Sequence, residues 1–176
     1  MDAVAHWSRV TNLVSAEDRG RLWERHVRDS LRLVPLAEGA GPVWVDLGSG
    51  GGFPGMIVAL AREGAMTMVE VNRKKAAFLV QAAATCGARV AVRAERIEAS
   101  APFEADVVSA RALAPLPRLL PLASRFFGPH TRGLFPKGQE AEAEVAAAQS
   151  VHAFAARLHL GAEGPVVEVT DLRSQP

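Results

Sequence analysis

The stretch Val43-Trp44-Val45-Asp46-Leu47-Gly48-Ser49-Gly50-Gly51-Gly52-Phe53-Pro54-Gly55 restricts what this 176-residue chain can fold into more than any other. A short apolar run of strand formers breaks at a glycine cluster, and Met56-Ile57-Val58-Ala59-Leu60-Ala61 then reads as a helix. Strand, tight turn and helix make the opening unit of an α/β sheet. Without a Cβ, Gly48 and Gly50 let the backbone bend sharply and approach a ligand closely. A ligand carrying a nucleoside is therefore expected over the strand end.

Two kinds of nucleoside pocket begin this way. A dinucleotide site aims a helix N-terminus at a pyrophosphate through G-x-G-x-x-G. Here Gly48, Gly50 and Gly55 give G-x-G-x-x-x-x-G, with Gly51 and Gly52 crowding the register, so the fit is poor. Asp46 just before the turn would repel a pyrophosphate, whereas it suits the cationic amino acid part of S-adenosylmethionine. A second acid roughly 20 positions on, at the end of the next strand, would bind both ribose hydroxyls. Ala65-Met66-Thr67-Met68-Val69-Glu70 supplies it in Glu70, which read alone is also an ordinary helix N-terminal acid ahead of Asn72. Together the turn and the spaced acid favour a methyltransferase.

The length fits one domain with a single substantial core. No apolar run approaches the roughly 20 residues a membrane crossing needs, and Asp2, His6 and Arg9 interrupt any signal-peptide core. Cys86, the single cysteine, has no partner for a disulfide or a metal cluster, so a cytoplasmic location is expected. The five histidines form no H-x-x-x-H pair, and no metal is expected. Ser49 and Ser109 stand in no G-x-S-x-G elbow, which argues against hydrolase chemistry. A net charge of +1 says nothing about nucleic acid, so any RNA contact must come from a local basic face.

Residues 4–14 place Trp7, Val10, Leu13 and Val14 at helical spacing, and a second helix is predicted from Leu22 to Val34, ended by Pro35, with Trp23, Val27, Leu31 and Val34 on one face. Its other face carries Arg21, Arg25, Arg28 and Arg32, interrupted by Glu24 and Asp29, which is either a solvated mixed-charge face or an RNA phosphate track. From Val43 the pattern alternates strand and helix, predicting a mostly parallel, seven-stranded sheet with helices on both faces. The predicted elements are a helix over 73–86 capped by Gly87, a strand over 89–93, a loop or single turn over 95–98 and a strand over 103–110 that delivers Arg111 at its end. A helix over 117–127, a short strand over 133–136 ending at Lys137, a helix over 139–152 and an antiparallel hairpin over 156–160 and 166–169 complete the expectation. Residues 1–36 would form a short helical cap and residues 43–176 the α/β core of a single domain.

Arg25-His26-Val27-Arg28-Asp29-Ser30-Leu31, the glycine turn, Ser109-Ala110-Arg111-Ala112 and Pro136-Lys137-Gly138-Gln139 occur in the order and spacing of one family. Through them the chain resembles the bacterial 16S ribosomal RNA (guanine-N7)-methyltransferases of the RsmG type, also called GidB, over nearly its whole length. The resemblance implies a Rossmann-like S-adenosylmethionine-dependent methyltransferase fold, S-adenosylmethionine as cofactor, 16S ribosomal RNA or the 30S subunit as partner, and a monomer. Family members usually carry a longer helical N-terminus, so part of the cap over the cofactor cleft is expected to be missing.

By position, the resemblance implies cofactor contacts at Gly48, Phe53, Ile97, Glu98 and Arg111, beside Asp46, Ser49, Gly50 and Glu70 of the turn and acid. Phe53 and Ile97 are equally readable as core residues. Arg25, His26, Ser30, Arg73, Lys74, Arg111 and Lys137 are candidates for base or phosphate contact. Against that, His26 reads as a packed histidine, Asp29-Ser30 as a brace against the turn, Lys137 as a solvated strand end, and Arg73-Lys74-Lys75 as surface charge. Guanine N7 carries a lone pair and no proton near neutral pH, so no general base is expected and catalysis should rest on alignment and desolvation. The competing readings are a non-catalytic RNA-binding protein that keeps the pocket, and a nicotinamide-dependent oxidoreductase.

Overall fold

The computed structural model describes residues 23–172, so the predicted helix over 4–14 and Arg21 lie outside the described residues. A helical segment opens the described chain and is called α1: a π-helical stretch Trp23–Arg28, then Asp29–Leu31 and Leu33–Leu36. Its inward face is only partly the predicted one: Val27 is buried and Val34 packs on the core, but Trp23 and Leu31 do not turn inward. His26, Val27, Asp29, Ser30 and Leu33 are buried, while Trp23 is 61% and Leu31 38% exposed. The wider π turn shifts the phase of the face, and the polar side chains turned inward are hydrogen-bonded there, Ser30 to the His26 carbonyl, Asp29 to Arg32 and His26 to Arg111. Pro35 does not end the segment but sits within its last short turn, where it stands close enough to the start for its missing N–H to break no helical bond.

Seven strands follow, β1 Val43–Leu47, β2 Ala65–Val69, β3 Val90–Arg93, β4 Ala105–Ala110, β5 Phe127–Pro136, β6 Ala155–His159 and β7 Val166–Thr170, in the order β3-β2-β1-β4-β5-β7-β6. Neighbouring strands from β3 to β5 are parallel, and β7 runs antiparallel to both β5 and β6. The helices are α2 Gly55–Ala61, α3 Arg73–Cys86, α4 Leu116–Ala123 and α5 Ala141–Gln149. The mostly parallel sheet with a closing hairpin is as expected.

Strand alternation divides the core. Val45 and Leu47 of β1 face one layer with Leu116, Leu119, Leu120 and Phe135. Trp44 faces the other with Met56, Met68, Phe78 and Leu79. The start of α3 is set by Asn72, whose side chain accepts from the N–H groups of Lys74 and Lys75, and its end by Gly87 in the left-handed region at φ 70°. Strand β5 begins at Phe127, six residues earlier than the expected 133, and the helix over 117–127 correspondingly stops at Ala123 with one tighter turn after it.

Candidate active site

β1 lies between β2 and β4, so the sheet reverses direction of growth beside it, and a crevice opens at the carboxyl ends of these strands. The glycine turn is tied to the end of β2, where the N–H groups of Gly48 and Ser49 both donate to the Val69 carbonyl, at 2.8 and 3.2 Å. Gly48 and Gly50 have φ of 66° and 51°, a conformation that glycine adopts without Cβ strain. Glu70, 6% exposed, accepts from the Gly50 N–H through Oε2 at 2.8 Å and from the Asn72 N–H through Oε1 at 2.7 Å. One carboxylate thus joins the turns that follow β1 and β2.

Two cavities open here. The smaller, about 220 Å³, has Gly48, Val69, Ile97, Leu113 and Leu122 among its lining, with Glu95 and Glu98 beside them. The Glu98 carboxyl lies below its ordinary range, first through a bond from its own backbone N–H and then through Arg96 at 2.9 Å. The larger, about 580 Å³, is lined by Arg25, His26, Asp29, Arg111, Lys137 and Glu144 together with the 112–115 turn. Arg111 at the end of β4 fastens α1 to the sheet. It donates to the Arg25 carbonyl at 3.1 Å and lies 2.6 Å from His26 Nδ1 and 3.5 Å from Asp29 Oδ2. Its guanidinium stands 5.6 Å from the centre of the Phe53 ring, on which His26 is stacked at 4.9 Å.

Asp46 has no exposed surface. It shares register with Ser109 across β1 and β4 and accepts a hydrogen bond from that hydroxyl at 2.7 Å, while its other oxygen accepts from the Gly55 N–H at 3.3 Å. Ser109 in turn accepts from Trp44 Nε1 at 2.9 Å. Asp46 is therefore a brace beneath the turn, so its expected link to the cofactor's amino acid part would have to run through water, not by direct contact. Ser49, 2% exposed, is likewise turned inward and donates to the Asp46 carbonyl at 3.0 Å.

Burial raises the Asp46 pKa from 3.8 to about 6, against the lowering effect of its Ser109, Ser49 and Gly55 bonds and of Arg111. Because the folded pKa exceeds the unfolded one, the associated stability is fully present below the unfolded value and is lost as pH rises through about 6. Relative to Asp46→Asn, the wild type should therefore gain roughly 2–3 kcal/mol between pH 7.5 and pH 4. Paired urea melts of the two proteins across that range check this, and a constant difference would remove Asp46 as the titrating group.

Residues 1–162 match the family model described as rRNA small subunit methyltransferase G. This chain belongs to that family. It is 47% identical to the ribosomal RNA small subunit methyltransferase G of Gluconobacter oxydans over 149 residues, covering 85% of this chain and 77% of that protein. With the protein of the same name from Cereibacter sphaeroides it shares 38% identity, over 98% of this chain and 86% of the relative. Among solved structures, a putative S-adenosyl-L-methionine-dependent methyltransferase of Methanococcus maripaludis superposes with a TM-score of 0.71 over 99% of this chain and 93% of its own, at 9% identity. The E81Q mutant of MtNAS in complex with S-adenosylmethionine also reaches a TM-score of 0.71, over 97% and 72%, at 16% identity. Both share the fold.

Set in this methyltransferase G family, the candidate residues sort by where the structure puts them. Gly48, Ile97 and Glu98 meet in the smaller cavity, and Arg25, His26, Arg111 and Lys137 in the larger. Ser30, 1% exposed, is turned inward and donates its hydroxyl to the His26 carbonyl, and it lines neither cavity. Lys137 is not a solvated strand end: its side chain is 9% exposed, with Nζ 2.8 Å from both the Ala114 carbonyl and Glu144 Oε2. Arg73 and Lys74 are exposed at the start of α3 and line neither cavity. Asp29 bridges Arg32 at 3.0 Å and Arg111 at 3.5 Å, which ties α1 to the end of β4 and not to the glycine turn. Leu113 and Glu144 were missed, because nothing in their spacing distinguishes them from core and surface residues.

The site fits S-adenosylmethionine in shape and charge. Apolar walls over a glycine floor suit a flat base, and Glu70 keeps lone pairs beyond those facing Gly50 and Asn72. Among the described residues no cluster of His, Cys, Asp or Glu could hold a metal ion, and no helix is long and apolar enough to cross a membrane.

Proposed function

We propose that this methyltransferase, whose cofactor is S-adenosylmethionine, transfers a methyl group to N7 of a guanine in small-subunit ribosomal RNA, in the cytoplasm. When bound, the cofactor supplies an electrophilic methyl carbon on a sulfonium. Gly48, Val69, Ile97 and Leu113 would hold the adenosine, and Glu70 the ribose hydroxyls. The larger cavity, with Arg25 and Arg111 on its wall, would receive the base and its phosphates. Arg111, held by α1, keeps that cavity's wall in place while adding positive charge beside the cleft.

What carries the reading is the state of the carboxylates around the larger cavity. Asp29 faces Arg32 and Arg111, Glu144 faces Lys137, and Glu163 faces Arg28. Each is engaged with a cation as part of the packing of α1, the 112–116 turn and the 161–164 turn, and guanine N7 has no proton to remove, so the proposed transfer asks for no general base among them. Alignment and exclusion of water are then the contributions left to the protein.

The test is methyl transfer from labelled S-adenosylmethionine to 30S subunits and to naked 16S RNA, followed by borohydride reduction and aniline cleavage. Strand scission at one labelled guanine is expected. Label without scission would place the methyl group elsewhere than N7, and absence of label would leave a binding protein. Arg25 is exposed and lines the cavity. Arg25→Ala should lower the slope of log affinity against log salt for RNA by about 1, with S-adenosylhomocysteine binding unchanged in calorimetry.

A further inference from the structure

Leu113 is the one described residue that lines both cavities. It lies close over the glycine turn, since a Cβ built on Gly48 would come within 2.7 Å of Leu113 Cδ1. Ala112 just before it has φ of 54°, in the left-handed region that a non-glycine residue holds only when its surroundings impose it. Those surroundings are on the page. Lys137 Nζ donates to the Ala114 carbonyl at 2.8 Å, and Glu144 Oε2 accepts from the Leu116 N–H at 2.7 Å and pairs with Lys137 at 2.8 Å. Lys137 directly follows β5 and Glu144 is on α5, so the pair clamps the 112–116 turn to both.

We propose that Leu113 is the partition that sets the methyl donor against the target base, and that Lys137 and Glu144 are positioning residues acting through it. The pair does not bind RNA phosphate. This rests on the methyl-transfer reading for the identity of the two ligands. A lysine whose side chain is 9% exposed and whose ammonium already faces a carbonyl and a carboxylate is poorly placed to meet a phosphate. Its charge is balanced by Glu144, and removing it frees the turn instead.

Four variants test this: Leu113→Ala, Lys137→Met, Glu144→Ala and Glu144→Gln, with Leu113→Ala/Glu144→Ala closing a cycle. Calorimetry with S-adenosylhomocysteine should show a loss of about tenfold for Leu113→Ala, from lost apolar contact, and a loss in the same direction for Lys137→Met and Glu144→Ala. The double variant should bind no worse than Leu113→Ala, because Glu144 acts through that side chain. Glu144→Gln, which keeps an acceptor for the Leu116 N–H, should recover most of the loss. With RNA, kcat should fall more than KM rises, and the salt slope of binding should stay at the wild-type value. Lys137→Met lowering that slope by about 1, or cofactor losses that multiply in the double variant, would overturn the proposal. Thermal melts identify any unfolded variant, for which Glu144→Gln stands in. The binding arm needs no RNA, so failure of wild-type methyl transfer at N7 is read separately from failure of the partition.

Discussion

Glu70→Gln is expected to weaken S-adenosylhomocysteine binding by about 100-fold, or roughly 3 kcal/mol, and to lower the melting temperature as well. In the wild type each carboxylate oxygen accepts one backbone N–H, Gly50 at 2.8 Å and Asn72 at 2.7 Å. A glutamine offers one acceptor and one donor, so one of the two N–H groups would face another donor in a site where Glu70 is 6% exposed. Bonds to a charged acceptor contribute about 1.5–3 kcal/mol each. The same change removes the negative charge proposed to face the ribose hydroxyls. Calorimetry on the folded variant decides the matter, and wild-type affinity would take Glu70 out of the ribose contact altogether.

The largest effect on stability is expected far from the cleft. Gly64 has φ of 139°, and a Cβ there would overlap the Pro42 carbonyl oxygen. That oxygen is also the acceptor for the Ala65 N–H at 2.9 Å, the bond that starts the β1–β2 pairing. Backbone cannot swing aside as a side chain can, so Gly64→Ala should destabilise the fold by about 4 kcal/mol, or roughly 10 °C in Tm for a chain of this size. Gly39→Ala is the control. Gly39 also has positive φ, 79°, but a Cβ there meets nothing within 4 Å, so it should cost only about 1–2 kcal/mol. Equal losses in denaturant melts would mean that positive φ, and not the Pro42 overlap, sets the effect.

The parts of this fold legible in the sequence are those set by local chemistry. Asn72 and Gly87 bound α3 because one caps backbone N–H groups with its side chain and the other tolerates left-handed backbone. β1 and its glycine turn are equally local. Strand β5 was shortened because Gly128, Pro129, His130 and Thr131 read as a loop, and only pairing reveals otherwise. Phe127 aligns with Ala105 and Arg132 with Val107 around a bulge, held where Thr131 Oγ1 donates to the Ala105 carbonyl and accepts from the Gly128 N–H. The α1 face was only half legible for a related reason. Hydrophobic spacing finds the buried Val27 but also picks the exposed Trp23 and Leu31, and it passes over the polar His26, Asp29 and Ser30, which are buried as well and for two of which Arg111, more than 80 residues away, supplies the partner.

In the site, Asp46 stood out in the sequence, but its bracing bonds did not. Strand alternation puts it on the same face as Trp44, with Ser109 beside it in register, and that pairing is invisible until β4 is placed next to β1. Lys137 was found by its place at a strand end, but its partner Glu144 sits on a helix seven residues later and reads as surface charge.

The position of β7 between β5 and β6 has a consequence for synthesis. β6 emerges from the ribosome first, yet it reaches the sheet only through β7, which is made last. Until residues 166–170 are translated, β5 keeps an open edge at Gly133–Pro136, and a nascent chain stopped at 165 would expose it. Completion of the sheet is thereby coupled to translation of its seventh strand.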